Sequence, residues 1–121
     1  MNVIPTRYKG FFFRSRLEAR WAMFFDTLGL PWDYEVEGFE WDDGMRYLPD
    51  FLVCGMYVEV KPFAYDGSHW QKARRLGAEA PVMLLGGSPD TRCYPAIVDG
   101  QETTVALVPD LFFACGEPWS D

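Results

Sequence analysis

Tyr47-Leu48-Pro49-Asp50-Phe51-Leu52-Val53-Cys54-Gly55-Met56-Tyr57-Val58-Glu59-Val60-Lys61-Pro62 is the stretch on which the fold turns. Two runs rich in Tyr, Phe, Leu and Val, Met45 to Val53 and Met56 to Phe63, have the composition of β-strands. Only Cys54-Gly55 separates them, the length of a tight hairpin loop. Such a loop sets Val53 against Met56, Leu52 against Tyr57, Phe51 against Val58 and Asp50 against Glu59. Directly opposed side chains share a face and stand about 4.5 to 5.5 Å apart at Cβ. Lys61, two residues beyond Glu59, falls on that same face, while Val58 and Val60 point the other way, into a core. Two opposed carboxylates repel each other unless positive charge compensates. A divalent cation with oxygen ligands compensates naturally, and Lys61 adds to it. The ordinary alternative is an exposed hairpin bearing an unrelated Glu and Lys. Against it stand the flanking Val58, Val60, Pro62 and Phe63, and Pro49-Asp50 at the partner position.

Upstream, residues 15 to 28 predict a helix. Leu17, Trp21, Phe24, Phe25 and Leu28 form one apolar stripe, Ser15 and Glu18 have capping-box spacing, and Gly29 stops the helix. Glu18 lies beside the stripe, at the core boundary, where a carboxylate is costly unless it is paired or bound to metal. Its cap role and a role in the site are compatible. Pro31 opens an alternating run, Trp32, Tyr34 and Val36 against Asp33, Glu35 and Glu37, which predicts a half-buried strand. Asp42-Asp43-Gly44 marks a turn. Downstream, Ser68 and Gln71 predict a capped helix to about Glu79, and Val82 to Leu85 a buried strand. Residues 93 to 98 and 103 to 108 predict a hairpin around Asp99-Gly100. The order is helix, three strands, helix, strand and an extra C-terminal β element, a mixed α/β class in a single domain.

Pro49-Asp50 followed by Glu59-Val60-Lys61, with Glu18 on a preceding helix, resembles the PD-(D/E)xK nuclease superfamily. The resemblance covers about residues 8 to 87 and implies a restriction-endonuclease-like core. Phe13-Arg14-Ser15-Arg16-Leu17-Glu18, Tyr47-Leu48-Pro49-Asp50-Phe51 and Val58-Glu59-Val60-Lys61-Pro62 are similar to small phage-type Holliday junction resolvase-like members and to transposon end-cleaving endonucleases. It implies that Asp50, Glu59, the Val60 carbonyl and Glu18 bind Mg²⁺ or Mn²⁺. It further implies that Lys61 orients or activates the attacking water and stabilises charge on the phosphate. Gln71 and Lys72, on the helix that borders the site in the family, become candidates for phosphate contact. Arg75 lies on the same helix, and Arg14, Arg16 and Arg20 are candidates for gripping the DNA backbone. For all of these the ordinary alternative is a solvated charged face.

The expected activity is a metal-dependent DNA endonuclease, with a structure-selective, resolvase-like enzyme leading. The chain is short for a separate sequence-reading domain, and cutting two strands of branched DNA implies a homodimer. A restriction-like or transposase-associated nuclease is the close rival. The rival of another class is a non-catalytic nuclease-like module, or an acidic inhibitor of a nucleic-acid-binding protein. His69, the single histidine, supports no acyl-transfer triad. The absence of a phosphate-binding G-x-x-x-x-G-K-[ST] loop argues against a nucleotide cofactor.

Composition bounds the remainder. The chain has 121 residues, 49% hydrophobic and 17% aromatic, which excludes a disordered class. Its apolar runs are too short for a membrane span or a signal peptide. Cys54, Cys93 and Cys115 show no C-x-x-C pair and read as ordinary thiols, pointing to the cytoplasm of a bacterial or phage-infected cell. The net charge of -7 argues against a nucleic-acid partner until it is mapped. Residues 1 to 25 carry +4, 26 to 50 carry -7, 51 to 75 carry +2 and 76 to 121 carry -6. The positive segments are those that supply Glu18, Glu59 and Lys61. DNA is therefore expected on one face, weakly, with strong dependence on salt and metal. The terminal Leu111, Phe112, Phe113 and Trp119 are expected to cover the sheet or form a dimer contact.

Overall fold

The computed structural model describes residues 4–63 and 70–109 and the backbone of 111–114. In chain order the elements are β1 (Thr6–Tyr8), β2 (Phe11–Phe13), α1 (Arg16–Thr27), β3 (Trp32–Tyr34), β4 (Phe39–Glu40), β5 (Arg46–Tyr47), β6 (Phe51–Val53) and β7 (Met56–Lys61). There follow α2 (Gln71–Leu76), β8 (Val82–Gly86), β9 (Cys93–Val98), β10 (Gln101–Val108) and β11 (Leu111–Ala114). The protein is mixed helix and sheet, mainly sheet. Seven strands form one sheet in the order β11-β10-β9-β8-β7-β6-β3, and β1-β2 and β4-β5 are separate two-stranded ribbons. In the large sheet β7 and β8, which flank α2 in the chain, are parallel, and the other pairs are antiparallel.

The sheet has two apolar faces. Trp21, Ala22 and Phe25 of α1 pack with Phe51, Val53, Val58, Val60, Met83 and Leu85. Trp70, Ala73 and Leu76, from α2 and the residue before it, pack with Val82, Leu84 and Tyr57. Val82 and Leu84 of β8 thus serve one face and Met83 and Leu85 the other, so the whole strand is buried, as its continuous apolar run predicts. In β7 the alternation also holds: Met56, Val58 and Val60 are buried and Tyr57, Glu59 and Lys61 are partly exposed. The buried stripe of α1 runs through Glu18, Ala19, Trp21, Ala22 and Phe25, with Leu17, Phe24 and Leu28 at its margins. The small side chains of Ala19 and Ala22 shift the face inward, and this shift carries Glu18 into the buried stripe.

Several elements differ from the sequence expectation. The single strand expected from Met45 to Val53 is two: β5 pairs with β4, and β6 joins the large sheet. Pro49, which has no N–H to give a ladder, stands between them. The alternation from Trp32 ends at Tyr34, because Glu35 takes a positive φ of 49° and Val36 is exposed. α2 ends at Leu76 and not near Glu79, and the residue at its N-cap, Trp70, makes no side-chain cap bond. Ser68 and His69 lie outside the described residues, as do Trp119 and the side chains of Leu111, Phe112 and Phe113. The β1-β2 ribbon was not expected. It is tied down by Asp26, which accepts the Tyr8 hydroxyl at 2.6 Å and the Trp32 indole N–H at 2.9 Å.

Cys93 is disulfide-bonded and Cys54 is free and exposed, which corrects the reading of three ordinary thiols. Spacing along the chain does not reveal a disulfide at Cys93, so thiol state no longer argues for a reducing compartment. No helix among the described residues is long and apolar enough to cross a membrane.

Candidate functional site

The site begins where the β6-β7 ladder stops. Pairing runs Val53 with Met56, Leu52 with Tyr57 and Phe51 with Val58, and no further. The Asp50 N–H reaches back to the Val58 carbonyl at 3.0 Å, so Asp50 and Phe51 both address Val58. Two residues against one is the geometry of a bulge. The Asp50 carbonyl is taken by the Glu35 N–H at 3.0 Å, and the Val60 N–H donates to Asp50 Oδ2 at 2.7 Å. This corrects the expectation that Asp50 and Glu59 stand directly opposed. The Asp50 side chain instead fills the place of a missing ladder bond, which fixes its direction.

Asp50 is 5% exposed and Glu18 7%. Burial first, and the charge of Glu59 second, hold the Asp50 carboxyl well above the usual carboxylate range. Glu18 is positioned by the start of α1, where Ser15 Oγ accepts the Glu18 N–H at 3.1 Å. In a full capping box its carboxylate would accept the Ser15 N–H. It accepts the Arg14 N–H at 3.1 Å and the Tyr34 hydroxyl at 2.7 Å, so the helix cap and the site share one residue. Burial and this bond to Glu18 push the Tyr34 phenol up to about 12.

Glu59 is clamped from two sides. Its Oε1 accepts the Tyr47 hydroxyl at 2.6 Å, and its Oε2 lies 3.2 Å from Lys61 Nζ. Tyr47 is buried, and burial followed by the Glu59 charge keeps its phenol protonated far above the ordinary range. Arg14 joins the acids on the other side. Its Nη2 stands 2.7 Å from Glu35 Oε2, 3.1 Å from Asp50 Oδ1 and 3.9 Å from Glu18 Oε2. Burial would lower the Arg14 pKa, but the Tyr34 bond and the three carboxylates outweigh it and raise it.

Glu18, Tyr47, Asp50, Glu59, Val60 and Lys61 line one cleft of about 920 Å³ together with Arg14, Arg16, Arg46 and Lys72, while Tyr34 and Glu35 support it from outside the lining. Gln71 lines a smaller adjoining pocket beside Glu59 and Lys61. Arg20 is exposed and outside the cleft lining. Arg75 lies apart, 2.6 Å from Asp43 and 4.6 Å from the Trp41 ring centre. Sequence reasoning missed Tyr34, Glu35, Tyr47 and Arg46. Tyr34 read as one side of a half-buried strand and Tyr47 as part of the hairpin stretch, and their hydroxyls were the overlooked signal, since a phenol shielded from water needs a partner. Glu35 carries no local signal at all.

The donor set is all oxygen, which suits a hard cation such as Mg²⁺ or Mn²⁺. Burial, with the Glu59 charge behind it, outweighs Arg14 at Asp50 and makes an ionised carboxylate costly there. On that chemistry the residues fit a divalent cation. As arranged, however, no group of three or more His, Cys, Asp or Glu among the described residues is gathered to hold one. Arg14 stands on Asp50 Oδ1 instead. Comparison with protein-family models, curated proteins and solved structures finds no match.

Proposed function

We propose that this chain is a metal-dependent endonuclease of restriction-endonuclease-like architecture that hydrolyses DNA phosphodiester bonds. The observation that carries the reading is the convergence of Glu18, Asp50, Glu59 and Lys61 in one cleft flanked by Arg16, Arg46 and Lys72. Asp50, Glu59, Glu18 and the Val60 carbonyl are the residues that would hold Mg²⁺ or Mn²⁺. A cation held there supplies compensation for the charge that develops on the phosphoryl oxygens. Lys61, an ammonium facing the same cleft, orients the attacking water and stabilises that charge. The water oxygen forms the new P–O bond as the ester P–O bond breaks; the attacking water gives its proton to solvent and the leaving sugar oxygen takes one from solvent, so that the products are a terminal phosphate and a hydroxyl. Tyr47 holds Glu59 in position. Arg16, Arg46 and Lys72 bind flanking phosphates, which sets the register of the duplex and not its sequence. Branched DNA is the proposed substrate class, cut by a homodimer.

Arg14, seated on Asp50 and Glu35, favours a second reading: a nuclease-like module, or an acidic inhibitor, that binds without cutting. One assay separates them. The protein is incubated with plasmid, single-stranded DNA and a four-way junction, in Mg²⁺ or Mn²⁺ and then in chelator. Cleavage is expected only with the cation, and Asp50→Asn and Lys61→Ala should each lower it at least ~100-fold. Junction preference supports the resolvase-like class. An inert wild type, or variants that cut equally well, overturns the enzyme reading, and binding without cutting supports the module.

A further inference from the structure

The sequence makes Arg14 a candidate for the DNA backbone, yet its guanidinium points into the acids. Nη2 makes its shortest contact, 2.7 Å, with Glu35 and stands 3.1 Å from Asp50 Oδ1. A divalent cation bound to a carboxylate sits closer than that, at about 2.0 to 2.6 Å from the oxygen. Guanidinium and cation therefore claim the same oxygen, and at that distance their like charges repel. The Arg14 backbone is fixed, because its N–H donates to Glu18 Oε1 and to the Tyr34 hydroxyl at 3.1 and 3.2 Å. Its side chain is 59% exposed, so the guanidinium can swing to solvent without disturbing the core.

Glu35 is the other half of the device. It adopts a positive φ of 49°, which is uncommon for a residue that is neither Gly nor Asn. Its N–H is bound to the Asp50 carbonyl at 3.0 Å. The turn that strains Glu35 thus brings its carboxylate beside the Asp50 side chain, where it holds Arg14 in place.

We infer that Arg14 is a resident counter-ion of the site, held by Glu35, that competes with the divalent cation for Asp50 and leaves when the cation enters. Its release also turns a residue occupied by acids into one available for phosphate. The inference rests on the reading of Asp50 as a cation ligand, and the test keeps the two apart.

The test is calorimetric titration of the full chain with MnCl₂, without DNA. Arg14→Gln should bind Mn²⁺ more tightly than wild type, on the order of 10-fold, the scale of one screened ion pair. Glu35→Gln should do the same more weakly by loosening Arg14, and it keeps the proposal testable if Arg14→Gln folds poorly. Asp50→Asn should abolish the binding. Thermal melts give a second readout. Without cation Arg14→Gln should melt below wild type, and saturating Mn²⁺ should shrink that gap. Equal or weaker Mn²⁺ binding by both variants overturns the competition and leaves the cation site standing. Mn²⁺ binding by none of the proteins, or undiminished binding by Asp50→Asn, overturns the cation reading and the competition with it.

Discussion

The β6-β7 and β9-β10 hairpins start alike and end differently. Each turns through two residues of positive φ, Cys54 at 50° and Gly55 at 86° in one, Asp99 at 53° and Gly100 at 73° in the other. That pairing of signs suits the right-handed twist of the flanking strands. From its turn β9-β10 zips through six register pairs, Val98 with Gln101 down to Cys93 with Ala106. β6-β7 stops after three, at Phe51 with Val58. The unfinished ladder leaves the Val60 N–H to the Asp50 side chain, where a completed one would use the main chain. On the other edge the Glu35 N–H takes the Asp50 carbonyl, in line with the β3-β6 pairing. The candidate site thus exists because one hairpin does not finish, and the other shows what finishing looks like.

The largest expected effect comes from the residue where the short ladder ends. Phe51 is 1% exposed and packs against four rings, those of Phe13, Phe25, Trp32 and Tyr34, with centroids 5.3 to 5.9 Å away. Phe51→Ala should cost about 3 to 5 kcal/mol in chemical denaturation, the usual loss for a buried ring. Leu107 in β10 is equally buried, and Leu107→Ala should cost about 2 to 5 kcal/mol. The two separate on Mn²⁺ affinity of the folded protein. Phe51→Ala should weaken it, since Phe51 anchors the bulge that aims Asp50, and Leu107→Ala should leave it unchanged. Equal loss from both would mean that the bulge does not depend on the Phe51 anchor.

The turns offer a matched pair. A Cβ at Gly55 or at Gly100 meets nothing within 4 Å, so substitution tests backbone conformation alone. Gly55→Ala and Gly100→Ala should each cost about 1 to 2 kcal/mol for placing an L-residue at positive φ. Hydrogen exchange should tell them apart. Loosening the β6-β7 turn permits a one-residue slip that exchanges the faces of Val58 and Glu59, with few register pairs to resist it. Faster exchange of the Val60 amide is expected in Gly55→Ala, with no matching change in β9-β10 for Gly100→Ala. Unchanged Val60 exchange would show that Asp50 alone fixes the register.

The same contrast explains what the chain order could reveal. The two-residue loop at Cys54-Gly55, the turn at Asp99-Gly100, the alternation of β7 and the buried run of β8 were legible from local spacing and periodicity, whereas β10 begins at Gln101 and not at 103 as expected. Glu18, Asp50, Glu59 and Lys61 were picked out together by the resemblance of their motif, while spacing alone placed Lys61 on the Glu59 face and Glu18 at the core boundary. The bulge at Asp50 was not legible, since strand parity does not reveal where two residues come to oppose one. Arg14 read as a surface cation because its three carboxylate partners come from three separate parts of the chain. Tyr34 and Tyr47 were half legible, as strand aromatics without the partners of their hydroxyls.

The smallest effect concerns Asp50 itself and is a matter of sign. Burial, and then the charge of Glu59, raise its pKa in the folded protein above the ordinary 3.8. The folded state therefore binds this proton more tightly than the unfolded chain does. Its stabilising contribution is complete below 3.8 and is lost as pH rises through the raised value. At pH 7 without cation the fold must either hold this proton or carry a buried charge, a cost relieved in part by Arg14 and the Val60 N–H. Asp50→Asn keeps an oxygen for that N–H and removes the charge. It should raise Tm at pH 7 by on the order of 4 °C, the shift that ~1 kcal/mol produces in a domain near this size, and the gain should vanish toward pH 4. Saturating Mn²⁺ should reverse the order, because only wild type gains the ligand's binding energy. If Asp50→Asn melts lower than wild type at both pH values without cation, the Arg14 pair outweighs burial. The unfinished hairpin would then be stabilised by its acid, and the contrast with β9-β10 would be one of wiring alone, not of stored electrostatic cost.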